Sequence, residues 1–262
     1  MEQIDSCIVC GSNQVSKFKG EMFPFVVDRM TGKSGSDTQC WSIHCPICDY
    51  HGTNLRFNLE EESRYYKEYM SGEYLTHRIA YEGQSVQSHA EYQQEQGILE
   101  NRKKEIYEFV KDFANENTVD SLLDYGGNHG EGIPDQFAHA RCYVLETEIR
   151  EHNKKITYIG KDDICEPMDL IICSHVLEHV SDINYHMEKM RNMLKLKKFL
   201  YVEVPNERTA QSMDGRKFHE HINMFSQQNL EFLFDLHNFD IVRKATGCNT
   251  YGDVFCVLGR AR

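Results

Sequence analysis

Positive charge is what this sequence is short of. Its 262 residues hold 29 Lys and Arg against 41 Asp and Glu, a net charge of -12 at neutral pH. A surface built for nucleic acid or for an anionic membrane carries the opposite balance, so both partners are disfavoured. Lys195, Lys197 and Lys198 make only a short run, read as the solvated end of a helix. Also missing is any apolar run near the ~20 residues that a bilayer-spanning helix takes. The opening MEQIDSCIVC lacks the charged-then-apolar profile of a secretory signal. Ten cysteines without such a signal point to reduced thiols and metal ligands rather than disulfides, and the expected compartment is the cytoplasm. The length allows one good core and a small second module.

Four of the cysteines fall in two CxxC pairs, Cys7-Ile8-Val9-Cys10 and Cys45-Pro46-Ile47-Cys48. Each pair makes a tight turn that brings two sulfurs toward one tetrahedral Zn²⁺, at bonds of ~2.3 Å. Four sulfurs close the shell, which makes the role structural. Cys40, His44 and His51 are alternative ligands with poorer spacing. The stretch between the pairs, with MFPFVV at 22–27 and a flexible 31–38, reads as hairpin and loop. Residues 1–57 are therefore expected to form a zinc-binding module too small to hold together without its metal.

Residues 58–81 are dense in tyrosine and charge. One amphipathic helix accounts for Tyr65, Tyr66, Tyr69 and Tyr74 if each ring is buried and each hydroxyl stays wet. The sharper reading is a lid in which the tyrosines, notably Tyr69 and Tyr74, and His77 face a polar substrate. Residues 84–96 are polar and aperiodic, so 58–99 is read as lid and linker.

From residue 100 the pattern changes. Ile106, Phe109, Val110 and Phe113 make one apolar helical stripe, followed by the stretch 121–132, SLLDYGGNHGEG. It reads as a buried strand ending at Asp124 and Tyr125, a turn crowded by Gly126, Gly127 and Gly130, and then a helix with Pro134 in its first turn. Glycine permits φ > 0 and close approach of a ligand to the backbone. Further strands are expected at 141–145, 155–159, 168–173 and 199–204, helices at 181–196 and 227–236, and an antiparallel edge pair at 239–245 and 253–258. Strand alternating with helix predicts an α/β fold, a doubly wound, mainly parallel sheet over 100–262. Glu146 ends the second strand about 20 residues past the first glycine, where a ribose diol needs an acceptor. Ser174 and His175, at the carboxyl end of the fourth, line the crevice in which such sheets bind ligands.

Asp124-Tyr125-Gly126, Glu146, DLIICSHVLEHVSD, FLYVEVPNE and FHEHINMFSQQNLEFLF together resemble a class I S-adenosylmethionine-dependent methyltransferase with a Rossmann-like core, over residues 100–259. With the paired cysteines and YKEYMSGEY in front, the chain is similar to the zinc-containing sugar C-methyltransferases, which act on nucleotide-linked keto sugars. The resemblance implies S-adenosylmethionine as cofactor, with Asp124 anchoring the glycine turn, Gly126, Gly127 and Gly130 beside the methionine part, and Asp162 or Asp163 on the adenine amine. It implies His221 as general base with Glu220 orienting it, and Tyr69, Tyr74, His77, His179 and Asn206 around a sugar or nucleotide-sugar acceptor. A second use for Glu220 and His221 is to cap the helix near Ser226, and for Glu178 and His179 to form a packed supporting turn. A catalytic metal on His175, His179, His219 and His221 lacks an HxxxH frame. Two departures stand out. Asn128 occupies the middle of the glycine motif, where many relatives have glycine, and Asn tolerates a left-handed backbone. Phe218 stands where these sugar enzymes tend to carry tyrosine, which leaves carbon and oxygen methylation both open. Competing readings are an RNA methyltransferase gripping nucleic acid through the cysteine module and a non-catalytic zinc-stabilised protein.

Overall fold

A computed structural model describes the chain except residues 70, 84–97, 131, 147–154, 161, 162, 164, 165, 209–211, 250 and 251, and the side chains of 98, 99, 248 and 249. The expected linker and Asp162 thus lie outside the described residues. In chain order β1 (Glu2–Gln3) and β2 (Ser16–Met22) are followed by α1 (Pro24–Thr31), where a hairpin and loop were expected. Pro24 at the first turn starts this helix and Gly32, left-handed at φ 68, stops it. Phe25, Val26, Val27 and Met30 are buried beneath it. Strands β3 (Gln39–Cys45), β4 (Tyr50–Thr53) and β5 (Leu55–Arg56) follow.

The tyrosine segment is two helices rather than one, α2 (Leu59–Tyr66) and α3 (Gly72–Glu82). Asn58 opens the first with a capping box, accepting from the Glu60 and Glu61 amides while Glu61 accepts from its own. Ser71 caps the second through the Tyr74 amide. The Tyr65 and Tyr74 rings are buried, and their hydroxyls bond each other at 3.0 Å instead of meeting water.

The remaining elements are α4 (Ile98–Val110), β6 (Ser121–Tyr125), β7 (Arg141–Leu145), β8 (Ile156–Ile159), β9 (Met168–Ser174), α5 (Ile183–Met193), β10 (Leu194–Pro205), β11 (Arg216–Phe218), β12 (Asn223–Met224), α6 (Gln227–Leu236), β13 (Phe239–Asn249) and β14 (Gly252–Ala261). The large sheet has the order β13-β14-β10-β9-β6-β7-β8. Pairing is parallel from β8 to β10, and β14 runs against both its neighbours at the far edge. Its order reverses between β6 and β9, the place where such sheets open a crevice.

The sheet is buried on both faces, as continuous apolar strands require. Leu122, Leu170 and Ile172 pack toward Ile106 and Val110 of α4. Leu123, Ile171 and Cys173 pack on the opposite side with Met187 of α5 and Leu230 of α6. The glycine turn does not open onto a long helix. Pro134 is extended at ψ 139, and among the described residues one 3-10 turn, Asp135–Phe137, precedes β7. Four glycines and a proline leave too few helix formers between the strands. Nor do the lysines end a helix in solvent: α5 stops at Met193, and Lys195 and Lys198 bond the buried Asp169 at 2.9 and 3.0 Å. No helix among the described residues is long and apolar enough to cross a membrane.

A second sheet joins the two ends of the chain, in the order β11-β2-β3-β4-β12. Strands from residues 216–224 flank those of the first 53 residues, β11 parallel to β2 and β12 antiparallel to β4. Cys7, Cys45 and Cys48 share the apolar cluster that covers one face of the large sheet. This places the segment between β10 and α6 against the N-terminal helices.

Candidate active site

The glycine turn is shaped by its own backbone. Gly126, Asn128 and Gly130 take φ of 70, 51 and 76, so Asn128 does adopt the left-handed conformation. A Cβ on Gly127 would stand 2.1 Å from the Asp124 carboxylate carbon, and one on Gly126 2.7 Å from Val176. The turn therefore folds tightly over Asp124, whose carboxylate accepts from the Gly132 amide at 3.1 Å. Glu146, at the end of β7, accepts from the Asn128 amide at 2.6 Å, which puts its carboxylate at the lip of the same turn. Asp163 accepts from the Gly160 amide at 2.6 Å, just past β8.

At the end of β9 the chain turns sharply through His175, at φ 55. Its imidazole lies between two buried carboxylates, Nδ1 at 3.2 Å from Glu178 and Nε2 at 3.3 Å from Glu203. Burial alone would lower its pKa, but the two carboxylates win and raise it to about 9. Glu178 and Glu203 are lowered to about 2 against the opposing effect of burial, by His175 above all. Ser174 and Tyr201 donate to Glu203 at 2.6 and 2.8 Å. His175 is thus a half-buried imidazole whose protonated form two buried carboxylates favour at the sheet's switch point, and Glu203 is a partner that the sequence reading did not single out.

Beside it lies a nest of side chains drawn from distant parts of the chain. His221 Nδ1 is 2.7 Å from Glu207 Oε2, just past β10. Burial pulls the His221 pKa down, but the Glu207 bond and the charge of Glu178 leave it raised. Glu207 in turn is lowered by His221 despite its burial. The His179 ring stands edge-on to His221 at 4.6 Å, with Nδ1 at 3.2 Å from the Glu220 carbonyl. Burial lowers the His179 pKa, with the charge of His221 adding to it. Glu220 points the other way, into the N-terminal helices: Tyr65 donates to it at 2.5 Å and Arg78 lies 3.5 Å away. Burial, then the charge of Glu220, raises the pKa of Tyr65, Tyr69 and Tyr74, which keeps these phenols as donors.

The nest opens on a cavity of about 260 Å³ lined by Glu207, Arg216, Lys217, Phe218, His219 and His221 among others. Phe218 is buried in the apolar cluster around α1. Glu220 and His221 do not cap α6, since the Ser226 hydroxyl itself accepts from the Asn229 amide. The turn that holds Glu178 and His179 is both packed and chemically furnished. The Glu178 carbonyl accepts from the amides of Ile222 and Asn223, and Asn223 donates to the carbonyls of Leu177 and Val180. Tyr69, Tyr74, His179, Glu220 and His221 are brought together. His77 is not: it packs on Phe25 and lines a separate cavity with Asp28 and Tyr81. Asn206 is tied to Asp253 through both its amide and its side chain. The sequence reading also missed Glu207 and Arg78. Glu207 had a signal, its place at the carboxyl end of a parallel strand; Arg78 had none.

Cys7, Cys10, Cys45 and Cys48 converge, with every sulfur within 4.8 Å of the others. The pairs Cys7–Cys48 and Cys10–Cys45 are 3.5 Å apart, far beyond a disulfide and near the ~3.8 Å edge of a tetrahedron with ~2.3 Å metal–sulfur bonds. The Cys48 thiol lowers the Cys7 pKa to about 5, so one thiolate is already favoured. This donor set fits a structural metal. Asn229 and Asn184 of α6 and α5 bond the carbonyls of Cys48, Ile8 and Val9, which fastens the cluster to the large sheet's helices.

A family model described as a methyltransferase domain matches residues 98–244. Among solved structures, magnesium protoporphyrin IX methyltransferase (ChlM) from Synechocystis PCC 6803 with bound SAM is similar at 14% identity. That match covers 79% of this chain and 100% of the other, with a TM-score of 0.52. The same enzyme with bound SAH gives 12% identity, 75% and 97% coverage and a TM-score of 0.50. N-methyltransferase NodS from Bradyrhizobium japonicum WM9 gives 14% identity, 63% and 97% coverage and a TM-score of 0.47. No curated protein matches the sequence significantly. The chain belongs to the methyltransferase-domain family.

Proposed function

We propose that this methyltransferase moves a methyl group from S-adenosylmethionine to a small polar acceptor, a sugar or nucleotide-linked sugar, with His221 as general base. The observation that carries the reading is the half-buried His221–Glu207 pair, 2.7 Å apart, beside the crevice at the carboxyl ends of the parallel strands. The residues of the glycine turn fit the donor: Asp124, Gly126, Gly127 and Gly130 would hold its methionine part, and Glu146 its ribose hydroxyls. Asp163, just past β8, would serve the adenine amine. The donor supplies an electrophilic methyl on a sulfonium that leaves readily.

The chain's own task is to place the acceptor in line, exclude water and take one proton. Glu207 accepts from His221 Nδ1, which leaves Nε2 to receive the proton from an acceptor O–H or from a C–H beside a carbonyl. The electron pair so released forms the bond to the methyl carbon, and the carbon–sulfur pair departs with sulfur. Burial pulls the Glu220 pKa up, but the charges of His179 and Arg78 and the Tyr65 hydroxyl bond leave it lowered. A wall of hydroxyl, carboxylate and imidazole groups suits a polyhydroxy acceptor, and exposed Lys217 at the cavity suits an anionic tail.

The test is calorimetric titration with S-adenosylhomocysteine, followed by a screen of nucleotide sugars with labelled donor. Binding of the thioether without transfer to any sugar nucleotide, alongside transfer to a different acceptor class, would remove the sugar reading. We also propose that the four cysteines hold Zn²⁺. Because β12 and Asn223 link that cluster's sheet to the catalytic nest, chelation is expected to cost turnover at least about tenfold. Elemental analysis without zinc, or unchanged turnover after its removal, counts against this assignment.

A further inference from the structure

Glu178, His179 and His221 each offer one donor atom, all within 4.8 Å of one another. Two imidazoles and a carboxylate form a donor set that binds borderline divalent ions and leaves a coordination position open. The geometry around the set is that of metal ligands in two further respects. First, both rings are oriented by their outer nitrogen: His179 Nδ1 donates to the Glu220 carbonyl at 3.2 Å, and His221 Nδ1 to Glu207 at 2.7 Å. Ligating histidines are held in this way, with Nε2 left as the lone pair. Second, Glu178 is fully buried and, apart from its ion-pair contact with His175, neither of its carboxylate oxygens accepts a hydrogen bond. A buried carboxylate whose one contact is an ion pair keeps acceptor capacity to spare.

The three residues are also pre-positioned. The Ile222 and Asn223 amides donate to the Glu178 carbonyl at 2.8 and 3.0 Å, which ties the segment carrying His221 to the turn carrying the other two. His179 Nε2 is 3.9 Å from Glu178 Oε1. Closing to the ~3.3 Å edge expected for bonds of ~2.0–2.1 Å asks for roughly half an ångström of movement.

We propose that Glu178, His179 and His221 form a second metal site, for a single exchangeable divalent cation, and that this ion inhibits by occupying the nitrogen on which His221 would take the acceptor's proton. The binding claim stands on the donor geometry alone; the inhibition rests on the base role proposed above. The site is distinct from the four-sulfur cluster in ligands and in having an open position, so its ion exchanges more readily.

The full chain, loaded with Zn²⁺ and freed of loose metal by gel filtration, should hold about two ions per chain. His179→Ala and His221→Ala should each hold about one, with S-adenosylhomocysteine affinity as the check that they fold. Glu178→Gln keeps the shape of the site and should weaken the second ion at least about tenfold. Turnover of the unmodified enzyme should fall as the second equivalent binds and return when a mild chelator removes it. One ion per chain in the unmodified enzyme, or equal metal content in all variants, overturns the site. Turnover that rises with the second ion overturns the inhibition. Inactivity when only the first ion is bound would instead sink the base role of His221 and leave the site standing.

Discussion

The glycine turn and the histidine nest sit at the ends of neighbouring strands, yet they are built from different materials. The turn is backbone: left-handed residues at 126, 128 and 130 and an aspartate that accepts one amide. The nest is side chain: Tyr65 and Arg78 from the N-terminal helices, Glu178 and His179 after β9, Glu207 after β10, Glu220 and His221 before β12. A site made of local backbone changes when its own few residues change. A site made of half-buried ion pairs is altered by any one charge, because each partner was partly desolvated in the presence of the other. The two halves should therefore come apart under mutation.

His221→Ala separates them most. Removing a general base costs on the order of 10²–10⁴ in rate, so turnover should fall about a thousandfold while S-adenosylhomocysteine affinity stays within about threefold. Isothermal titration beside initial rates reads both. A parallel loss of affinity would mean the nest and the turn are one unit. Glu207→Gln should act more mildly, slowing turnover about tenfold to thirtyfold. It also carries a pH signature. Glu207 holds the His221 pKa up, and a base works only when unprotonated, so activity rises with pH through that pKa. Without the carboxylate the acidic limb should move to lower pH; an unmoved limb would assign it to another group.

The same contrast explains what could be read from the sequence. Strand β6, strand β9 and helix α6 were legible because their signals are local: continuous apolar runs, and a 3.6-residue stripe from 227 to 236. The left-handed Asn128 was legible because a turn's geometry is written within a few residues of itself, and the place of Glu146 because the second parallel strand ends at a regular distance from the glycines. Helix α1 was misread because Phe-Pro-Phe looks like a breaker, when Pro24 at the first turn is a starter. The helix after the glycine turn was overread, since glycine content speaks for the turn and not for the residues beyond it. The pairing of His221 with Glu207, and of Glu220 with Arg78, depends on which distant segments the two sheets bring together. Neither pair has a spacing rule along the chain.

Glu146→Ala sharpens the comparison from the other side. Losing the acceptor at the lip of the turn should weaken S-adenosylhomocysteine about tenfold, roughly the 1.4 kcal/mol of one charge-assisted hydrogen bond. Turnover at saturating donor should stay within about threefold, since Glu146 accepts from the Asn128 amide of the glycine turn, on the donor side. Titration calorimetry and saturation kinetics on one preparation decide it. A fall in saturated turnover as large as the fall in affinity would place Glu146 among the groups that set the reacting geometry.

The smallest effect belongs to His175, which stands between the two regions. Its pKa of about 9 in the fold lies above the ~6.5 of an unfolded chain. A group raised on folding contributes stability that is fully present below ~6.5 and is lost as pH rises through about 9. The carboxylates that face it, lowered to about 2, lose their share only on acidification, so the two windows do not overlap. Between pH ~7 and ~9.5 the melting temperature should therefore fall, by about 3 °C per kcal/mol for a chain of this size. Glu203→Gln keeps the volume and one hydroxyl bond as it is, with the other hydroxyl turning to accept from the new amide, but removes one of the charges that raise His175. Its melting temperature should start lower and fall less over the same range. Burial, before the charge of Glu203, raises the Tyr201 pKa well above the ordinary phenol range and keeps it protonated over this interval, so the difference in slope reports on His175. Equal slopes would mean the imidazole is neutral in the fold, and that the turn after β9 is held by packing rather than by a half-buried cation.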